Sequence, residues 1–383
     1  MKSSSIIELS KEALDNNLSF IKSQLMEGVK LSSVVKGNAY GHGVYEFVPM
    51  AEECGIDHFS VFSADEALRV CEIKQAETEV MIMGWIDRDE IEWAIQNHVQ
   101  FYVFELDRLQ AAIETAGNLG IPALIHLEVE TGMNRTGLRK KALDKVVKLI
   151  RKNEEKIIVK GLCTHYAGAE SIANHVRVQR QYKVFNRIYN SLLKKGIKPE
   201  LCHTASSAAS MTYPKTQMDM VRVGILQYGF WPSAETYVHY VSKKQDKTDP
   251  LNRVISWKSK VMSIKEVNEG EFVSYGTVYL ATEPRMIAVV PAGYSHGYSR
   301  SLSNQGRVLI NGYRVAVIGM VNMNMLIADI TNIPDVNVGD EVVMIGNQGE
   351  HSISVSAFTE LSEQLNYELL SRLPEYTTRM ITN

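Results

Sequence analysis

The chain has 383 residues, 45% hydrophobic and 22% charged, a composition typical of a globular protein too long for one ordinary core. Its 41 basic and 44 acidic side chains leave a net charge of −3, which gives nucleic-acid binding no electrostatic support. Neither a membrane span of about eighteen apolar residues nor the apolar stretch of a signal peptide is apparent. The cysteines are scattered along the sequence. Together, these features predict a cytoplasmic protein with reduced thiols and without a metal site.

Short β-branched runs alternate with amphipathic stretches over the first two thirds of the chain. The runs predict eight strands: Leu31–Lys36, His58–Phe62, Glu79–Met83, Gln100–Phe104, Ala123–Glu128, Ile158–Thr164, Glu200–His203 and Met220–Val223. Helical stretches separate them, among them Ala64–Ile73, Arg88–Asn97, Leu106–Leu119 and Val176–Lys195. This alternation predicts an α/β fold with a (β/α)8 TIM barrel, although a doubly wound sheet with fewer strands would give a similar pattern.

The pattern changes after Trp231, where a second, mostly β C-terminal domain is predicted. Its first segment, Tyr240–Asn252, is polar and predicts a surface connection. Short, closely spaced strands are then predicted at Trp257–Val267, Met286–Pro291, Val308–Ile310, Tyr313–Ile318, Met325–Asp329 and Glu341–Gly346. Asn311-Gly312 predicts a hairpin turn between two of them.

These patterns divide the chain into three parts. The barrel is predicted over residues 10–235 and the β domain over residues 236–383. Residues 1–9 form an N-terminal segment in which Ile6–Leu9 could join the β domain. The tail Ser354–Leu373 predicts a helix packed on that domain.

Polar residues stand at five predicted strand ends, where barrels carry their functional groups. These residues are Lys36, Glu128, His165, His203 and Arg222. Barrels often hold a phosphate on the loops after strands seven and eight. Ser206, Ser207 and the Gly224 backbone would be suitable donors there.

Lys36 is the most informative of these residues. Lysines ordinarily lie on solvated surfaces, but Lys36 ends the run Leu31–Val35 and should point into the barrel mouth. Desolvation there lowers the pKa of an ammonium group, as an imine-forming lysine requires. From spacing alone, a Schiff-base enzyme is one interpretation among others.

A longer motif surrounds Lys36. The segment Val34-Val-Lys-Gly-Asn-Ala-Tyr-Gly-His-Gly43 resembles the pyridoxal-phosphate lysine segment of bacterial alanine racemases. Further segments follow in that family's order and spacing: Thr131–Gly137, Thr164-His165, Val221–Ile225, Tyr228-Gly229, Val273–Gly276 and Pro291–Tyr294. The resemblance covers nearly the whole chain. It implies a pyridoxal-phosphate barrel with a C-terminal β domain, a head-to-tail homodimer with shared active sites, and a supply of D-amino acid for the bacterial cell wall.

The resemblance also implies catalytic roles. Lys36 would bind the cofactor covalently and act as one acid/base, with Tyr275 of the partner subunit as the second. Bases on opposite faces are what inversion at Cα requires. His165, linked to Arg222, would favour the ionised Tyr275 phenol. Arg222 would face the pyridine nitrogen and keep the ring a weaker electron sink, because a guanidinium does not readily give up a proton.

Other residues would bind cofactor and substrate. Arg135 would bond the cofactor phenolate and, with the Met323 backbone, seat the substrate carboxylate. The phosphate would be held by Tyr40, Ser207, Gly224 and Ile225. Tyr294 and Arg300 would line the passage through which substrate enters.

Glu128 departs from the family pattern. The family often has a CO₂-carbamylated lysine there, whose anion orients the arginine corresponding to Arg135. We hypothesise that Glu128 supplies this anion unmodified, which would make activity independent of bicarbonate. The alternative is that Glu128 faces solvent at the strand end.

Further departures leave the substrate open. Asn324 replaces an aspartate beside the substrate carboxylate, and Met320 stands where an arginine is common, so two charges are lost. The phosphate-contacting tyrosine corresponds to Tyr376 or is absent, with Glu375 in its place. The resemblance still makes alanine the expected substrate, and these departures leave serine or larger amino acids as alternatives.

Two rival functions share parts of the pattern. A pyridoxal-phosphate decarboxylase of basic amino acids would have the same fold, but no match to its C-terminal cysteine segment is apparent. A pyridoxal-phosphate binding protein without turnover would be a barrel alone, whereas this chain keeps the β domain and Tyr275. The racemase interpretation is therefore favoured.

Overall fold

The computed structural model describes residues 3–355 and 366–383. The chain forms two compact units. One contains Leu14–Lys36 and Val48–Asn252, and the other contains Met1–Ala13, Gly37–Phe47 and Arg253–Asn383. We call them the barrel unit and the β unit. The boundary between residues 235 and 236 stays a prediction.

The barrel unit is built on eight parallel strands, numbered here one to eight in chain order. Their bounds are Lys30–Val34, His58–Ser63, Glu79–Trp85, Gln100–Val103, Ala123–Glu128, Ile157–Cys163, Leu201–His203 and Met220–Val223. Consecutive strands pair from one to seven, and strand one also pairs with strand eight. Between strands seven and eight, the Asp219 N–H donates to the Cys202 carbonyl at 3.1 Å and the Arg222 N–H to the Ala205 carbonyl at 3.0 Å. The ring is thus nearly closed, which confirms the predicted barrel and excludes the doubly wound sheet.

Helices alternate with these strands. Those up to residue 241 are Lys11–Ser23, Val44–Glu53, Ala64–Cys71, Glu90–Gln96, Leu106–Leu119, Lys140–Lys152, His175–Lys194, Ser207–Thr212 and Ala234–Val241. Leu106–Leu119 has the predicted bounds and ends where Gly120 adopts a φ of +67°. The predicted connection Tyr240–Asn252 begins inside the last of these helices. Within the described ranges, no helix is both long and apolar enough to cross a membrane.

The β unit contains a seven-stranded and a three-stranded sheet among its described residues. Its strands are Ser5–Ser10, Ile255–Lys260, Ser263–Val267, Arg285–Val290, Arg307–Ile310, Tyr313–Ala316, Leu326–Asp329, Glu341–Gln348, His351–Ile353 and Thr378–Thr382. Ser5–Ser10 pairs antiparallel with Ile255–Lys260 and parallel with Thr378–Thr382. The N-terminal segment is therefore an inner strand of the larger sheet.

Two predictions for this unit need correction or restriction. The single strand predicted at Trp257–Val267 is wrong, because Ile255–Lys260 and Ser263–Val267 belong to different sheets. Val261, between them, is buried, so the apolar pattern continues through the bend. Within the predicted helix Ser354–Leu373 the structure has a helix at Asn366–Ser371, while residues 356–365 lie outside the described part.

The barrel interior is unusually polar. TIM barrels are ordinarily filled by branched aliphatic side chains. Here His58, Gln100, His126, His203 and Arg222 are all at least 95% buried. Buried polar groups are costly unless hydrogen-bonded, so the interior must contain an ordered network.

Candidate active site

A left-handed turn follows Lys36. Strand one ends at Val34, two residues earlier than predicted. From Gly37 to Tyr40 every φ lies between +52° and +61°, although only Gly37 is a glycine. Such backbone strain persists only where neighbouring groups hold it. The Asn38 side-chain oxygen accepts the Val44 N–H at 2.9 Å, and the Asn38 carbonyl accepts the Gly43 N–H at 3.0 Å.

Lys36 itself lies in a positive environment. Part of its side chain is exposed, yet the surrounding protein lowers its pKa by burial, and the Arg135 guanidinium lowers that pKa further. The charge of Glu66 acts in the opposite direction. Lys36 therefore loses its proton more readily than a surface lysine, which favours the nucleophilic and basic form of the amine.

Glu128 is a buried carboxyl group of the candidate site. Only 6% of its surface is exposed, which excludes the alternative that it faces solvent. Burial raises its pKa, while the Thr136 hydroxyl, which donates to it at 3.1 Å, and the Arg135 charge favour ionisation. No sequence pattern singled out Thr136 for this contact.

Arg222 is a buried cation held by neutral acceptors. Its Nη1 donates to His203 Nδ1 at 2.6 Å and to the His203 carbonyl at 2.8 Å, and its Nη2 donates to the Thr164 carbonyl at 2.9 Å. The hydrogen-bonded histidine is thus His203, which the sequence identified only as a strand end. His165 interacts with Arg222 electrostatically. Burial has the largest effect and, followed by the charges of Arg222, Arg135 and Lys36, lowers the pKa of His165 to about 3.

The predicted phosphate-binding residues of the barrel unit lie together. Ser207 begins the short helix after strand seven, and Gly224 and Ile225 follow strand eight. The Gly224 N–H donates to the Ser207 hydroxyl at 2.9 Å. Hydroxyl and backbone groups therefore meet at the strand ends where barrels commonly hold phosphate. Tyr40 lies in the β unit, with its ring centroid 6.0 Å from that of Tyr367.

Tyr275 lies on a loop of the β unit and is 71% exposed. The preceding residue, Ser274, has a φ of +65°. The Ser274 hydroxyl donates to the Met320 carbonyl at 2.8 Å and to Asn322 Oδ1 at 3.1 Å. These bonds fix the Tyr275 loop to the segment that begins at Met320.

The same segment gathers the other predicted residues of the β unit. The Tyr294 N–H donates to the Asn322 carbonyl at 3.0 Å, and Arg300 Nη2 lies 2.9 Å from Met320 Sδ. The Ser295 hydroxyl donates to the Met323 carbonyl at 2.8 Å. Asn324 Nδ2 donates to the Ser295 hydroxyl, and the Tyr376 hydroxyl donates to the Ser295 carbonyl.

Comparison with protein families covers both units. A family profile described as the N-terminal domain of alanine racemase matches residues 9–232. One described as its C-terminal domain matches residues 254–381.

Individual alanine racemases are similar in sequence to this chain over nearly its whole length. The alanine racemase of Leptospira interrogans is 32% identical over 380 residues, which is 99% of this chain and 96% of the relative. That of Methanococcus maripaludis is 34% identical over 366 residues, which is 95% of this chain and 94% of the relative.

Solved structures of alanine racemases are similar in fold to this chain. The alanine racemase of Clostridium difficile 630 has a TM-score of 0.91 at 28% identity, covering 100% of this chain and 96% of its own. The alanine racemase of Bacillus anthracis with bound L-Ala-P has a TM-score of 0.90 at 29% identity, with the same coverage.

Proposed function

The chain belongs to the alanine racemase family, and from that premise we propose that it is a pyridoxal-phosphate-dependent isomerase that interconverts L- and D-alanine. The observation that carries the proposal is Lys36. It follows a barrel strand, and burial and the Arg135 charge lower the pKa of its ammonium group. An amine of this kind can bind an aldehyde covalently and can exchange a proton with substrate.

The donor set of the barrel unit fits pyridoxal phosphate. Lys36 offers the amine for attachment, and Arg222 offers a buried cation whose described acceptors are an imidazole and carbonyls. Ser207 and Gly224 supply hydroxyl and backbone groups for the phosphate. The family resemblance adds Ile225 and Tyr40 for the phosphate, and Arg135 for the phenolate. When bound, the cofactor withdraws electrons from the substrate and so acidifies the proton at Cα.

Racemisation needs proton exchange on both faces of Cα. Lys36 Nζ would exchange the proton on one face, and Tyr275 of the partner subunit would exchange it on the other. The exposure of Tyr275 supports this assignment, because its ring is available to a second chain. With its pKa near 3, His165 is neutral at neutral pH, so it would act on the phenol as a hydrogen-bonding group rather than as a cation.

Glu128 would replace the family's carbamate. It is buried, and Arg135 and Arg222 favour its ionised form. Its position supports a role in orienting Arg135 without prior modification by CO₂. Arg135 would then seat the substrate carboxylate together with the Met323 backbone.

The assembly and the substrate passage also rest on the resemblance. A head-to-tail homodimer in the cytoplasm, supplying D-alanine for the cell wall, is the expected setting. Tyr294 and Arg300 would line the passage. Arg300 contacts the uncharged Met320 there, so a serine racemase or a broader amino-acid racemase is the second candidate.

The deciding experiment is incubation of cofactor-loaded protein with L-alanine, L-serine and L-lysine in D₂O, followed by chiral analysis. We expect D-alanine carrying deuterium at Cα. Lys36→Ala should lose at least about 10³-fold in rate, because it lacks both the attachment point and one base.

The surface variant Lys195→Ala serves as the control. Lys195 forms a surface ion pair with Asp144, so the variant should retain full activity. Deuterated D-serine as the main product would favour the second candidate. Without inversion or exchange of any amino acid, the racemase proposal fails and the decarboxylase or binding-protein functions take its place.

A further inference from the structure

A line of hydrogen bonds runs through the barrel interior from Arg222 to the amino end of the sheet. Arg222 Nη1 lies 2.6 Å from His203 Nδ1, and His203 Nε2 lies 2.8 Å from His126 Nδ1. His126 Nε2 lies 2.6 Å from Gln100 Oε1. Gln100 Nε2 lies 2.8 Å from an oxygen of Glu79, the first residue of strand three. We call these five residues the interior relay.

The contact with Arg222 is compatible with only one neutral tautomer of His203. A guanidinium only donates hydrogen bonds, so His203 Nδ1 must accept from Arg222. The neutral His203 ring then carries its proton on Nε2. From there it can donate to His126 Nδ1, which must be unprotonated.

The Glu79 end requires the same arrangement. Burial disfavours the ionised Glu79 carboxylate, but the hydrogen bond and charge of Lys30, together with His58 and Lys160, lower its pKa overall. An ionised carboxylate only accepts, so Gln100 turns its amide nitrogen to Glu79 and its carbonyl oxygen to His126. His126 must therefore donate from Nε2, which again leaves Nδ1 unprotonated.

Burial keeps both imidazoles neutral. His126 and His203 are fully buried, and this burial, followed by nearby positive charges including Arg222, lowers the pKa of both rings. Neither ring can compete with Arg222 for the positive charge. A complete, one-directional chain of this kind also satisfies polar groups that would otherwise be costly in a barrel core.

We propose that His126 and Gln100 are positioning residues for Arg222: they fix the tautomer of His203 and so aim the guanidinium without placing a carboxylate against it. In the other tautomer, the His203 Nδ1–H would face an Arg222 N–H, and two donors would repel. A carboxylate in direct contact would hold Arg222 equally well but would offset its charge. The proposal rests on the proposed function, in which Arg222 faces the cofactor ring.

The tautomers can be measured directly by nitrogen-15 NMR of the full-length holoenzyme labelled at histidine. We expect an unprotonated Nδ1 and a protonated Nε2 for both His126 and His203. Variants at each position assign the signals. A protonated Nδ1 or a cationic ring at either position would overturn the proposal.

A matched pair of variants tests the consequence for Arg222. In His126→Asn, the amide oxygen takes the place of Nδ1 and still accepts from His203, whereas His126→Leu removes the acceptor. We expect His126→Leu to lower both kcat and pyridoxal-phosphate affinity about tenfold and to release the His203 tautomer. His126→Asn should lose less than His126→Leu in both, since it keeps the acceptor for His203 although it no longer reaches Gln100. Equal effects of the two substitutions would contradict the proposal.

Two further measurements distinguish failure of the positioning role from failure of the proposed function. If His126→Leu does not fold, Gln100→Leu breaks the relay one residue further from Arg222, and it should release the His126 tautomer and weaken cofactor binding. If the wild type neither inverts nor exchanges amino acids, the proposed function fails while the NMR measurement still tests the relay. If the wild type racemises but Gln100→Leu leaves both tautomers and cofactor affinity unchanged, the positioning role alone fails.

Discussion

At the scale of single residues, the candidate site contains a buried arginine and a buried glutamate. Arg222 and Glu128 are 5% and 6% exposed. Burial opposes the charge of Glu128 and raises its pKa, with only partial compensation from Thr136 and Arg135. A carboxyl group buried at this cost supports the proposed functional role of Glu128.

The Glu128→Gln variant should therefore separate stability from activity. Because the folded-state pKa is raised, the Glu128 contribution to stability is fully present below its unfolded pKa and is lost as pH rises through the folded value. At pH 7 the glutamine variant should be at least as stable as the wild type in urea unfolding. Its racemase kcat should fall about tenfold, because the electrostatic attraction between Glu128 and Arg135 is lost.

Bicarbonate provides the second measurement. Wild-type kcat should be the same in CO₂-free buffer and in buffer with added bicarbonate. Glu114→Gln, which removes a charge from an exposed ion pair with Arg88, is the control and should leave kcat unchanged. Full activity of Glu128→Gln, or stimulation of the wild type by bicarbonate, would contradict the assigned role.

At the scale of elements, the turn after Lys36 is held by the C-terminal segment of the β unit. Arg379 Nη2 donates to the Gly41 carbonyl at 2.9 Å. Gly41 has a φ of +78°, and a Cβ at this position would lie 1.8 Å from the Leu370 carbonyl oxygen. The close approach of these two backbones thus requires a glycine.

Gly41→Ala should destabilise the protein by roughly 3 kcal/mol or more, because left-handed strain and a backbone clash add together. Gly28→Ala is the matched control: its φ is +80°, but nothing lies within 4 Å of the added Cβ. Strain alone should cost about 1 kcal/mol there. Urea unfolding of both variants measures the difference, and equal losses would show that the approach to Leu370 is unimportant.

At the scale of the whole molecule, the proposed homodimer places Lys36 and Tyr275 of one active site on different chains. Lys36→Ala and Tyr275→Phe should each be inactive alone. Co-refolded in equal amounts, they should recover about a quarter of wild-type activity, because half of the dimers are mixed and each mixed dimer has one intact site.

Light scattering should give twice the chain mass of 43.0 kDa for the wild type and the mixture. The pair Lys36→Ala and Arg222→Ala provides the control, since both residues lie in the barrel unit. Its mixed dimers should contain no site with both residues intact and should recover nothing. The absence of recovery in the first mixture would place both bases on one chain.

Local periodicity determined much of this protein from sequence. Ala123–Glu128, Met220–Val223 and Leu106–Leu119 have the predicted bounds, because side-chain direction repeats every two residues in a strand and every 3.6 in a helix. The motif around Lys36 also predicted the fold and the cofactor through its resemblance to a family. Both kinds of information lie within short stretches of chain.

Only the tertiary structure decided which distant residues meet. Arg222 is bound to His203 rather than directly to His165, and His126 and Gln100 continue the line from other strands. These contacts depend on strand register and on closure of the ring, which periodicity within one strand does not specify. The strands on either side of Val261 likewise belong to two different sheets, because they pair with strands that lie at other places in the sequence. Sequence thus determined the elements, whereas packing determined the hydrogen bonds that complete the site.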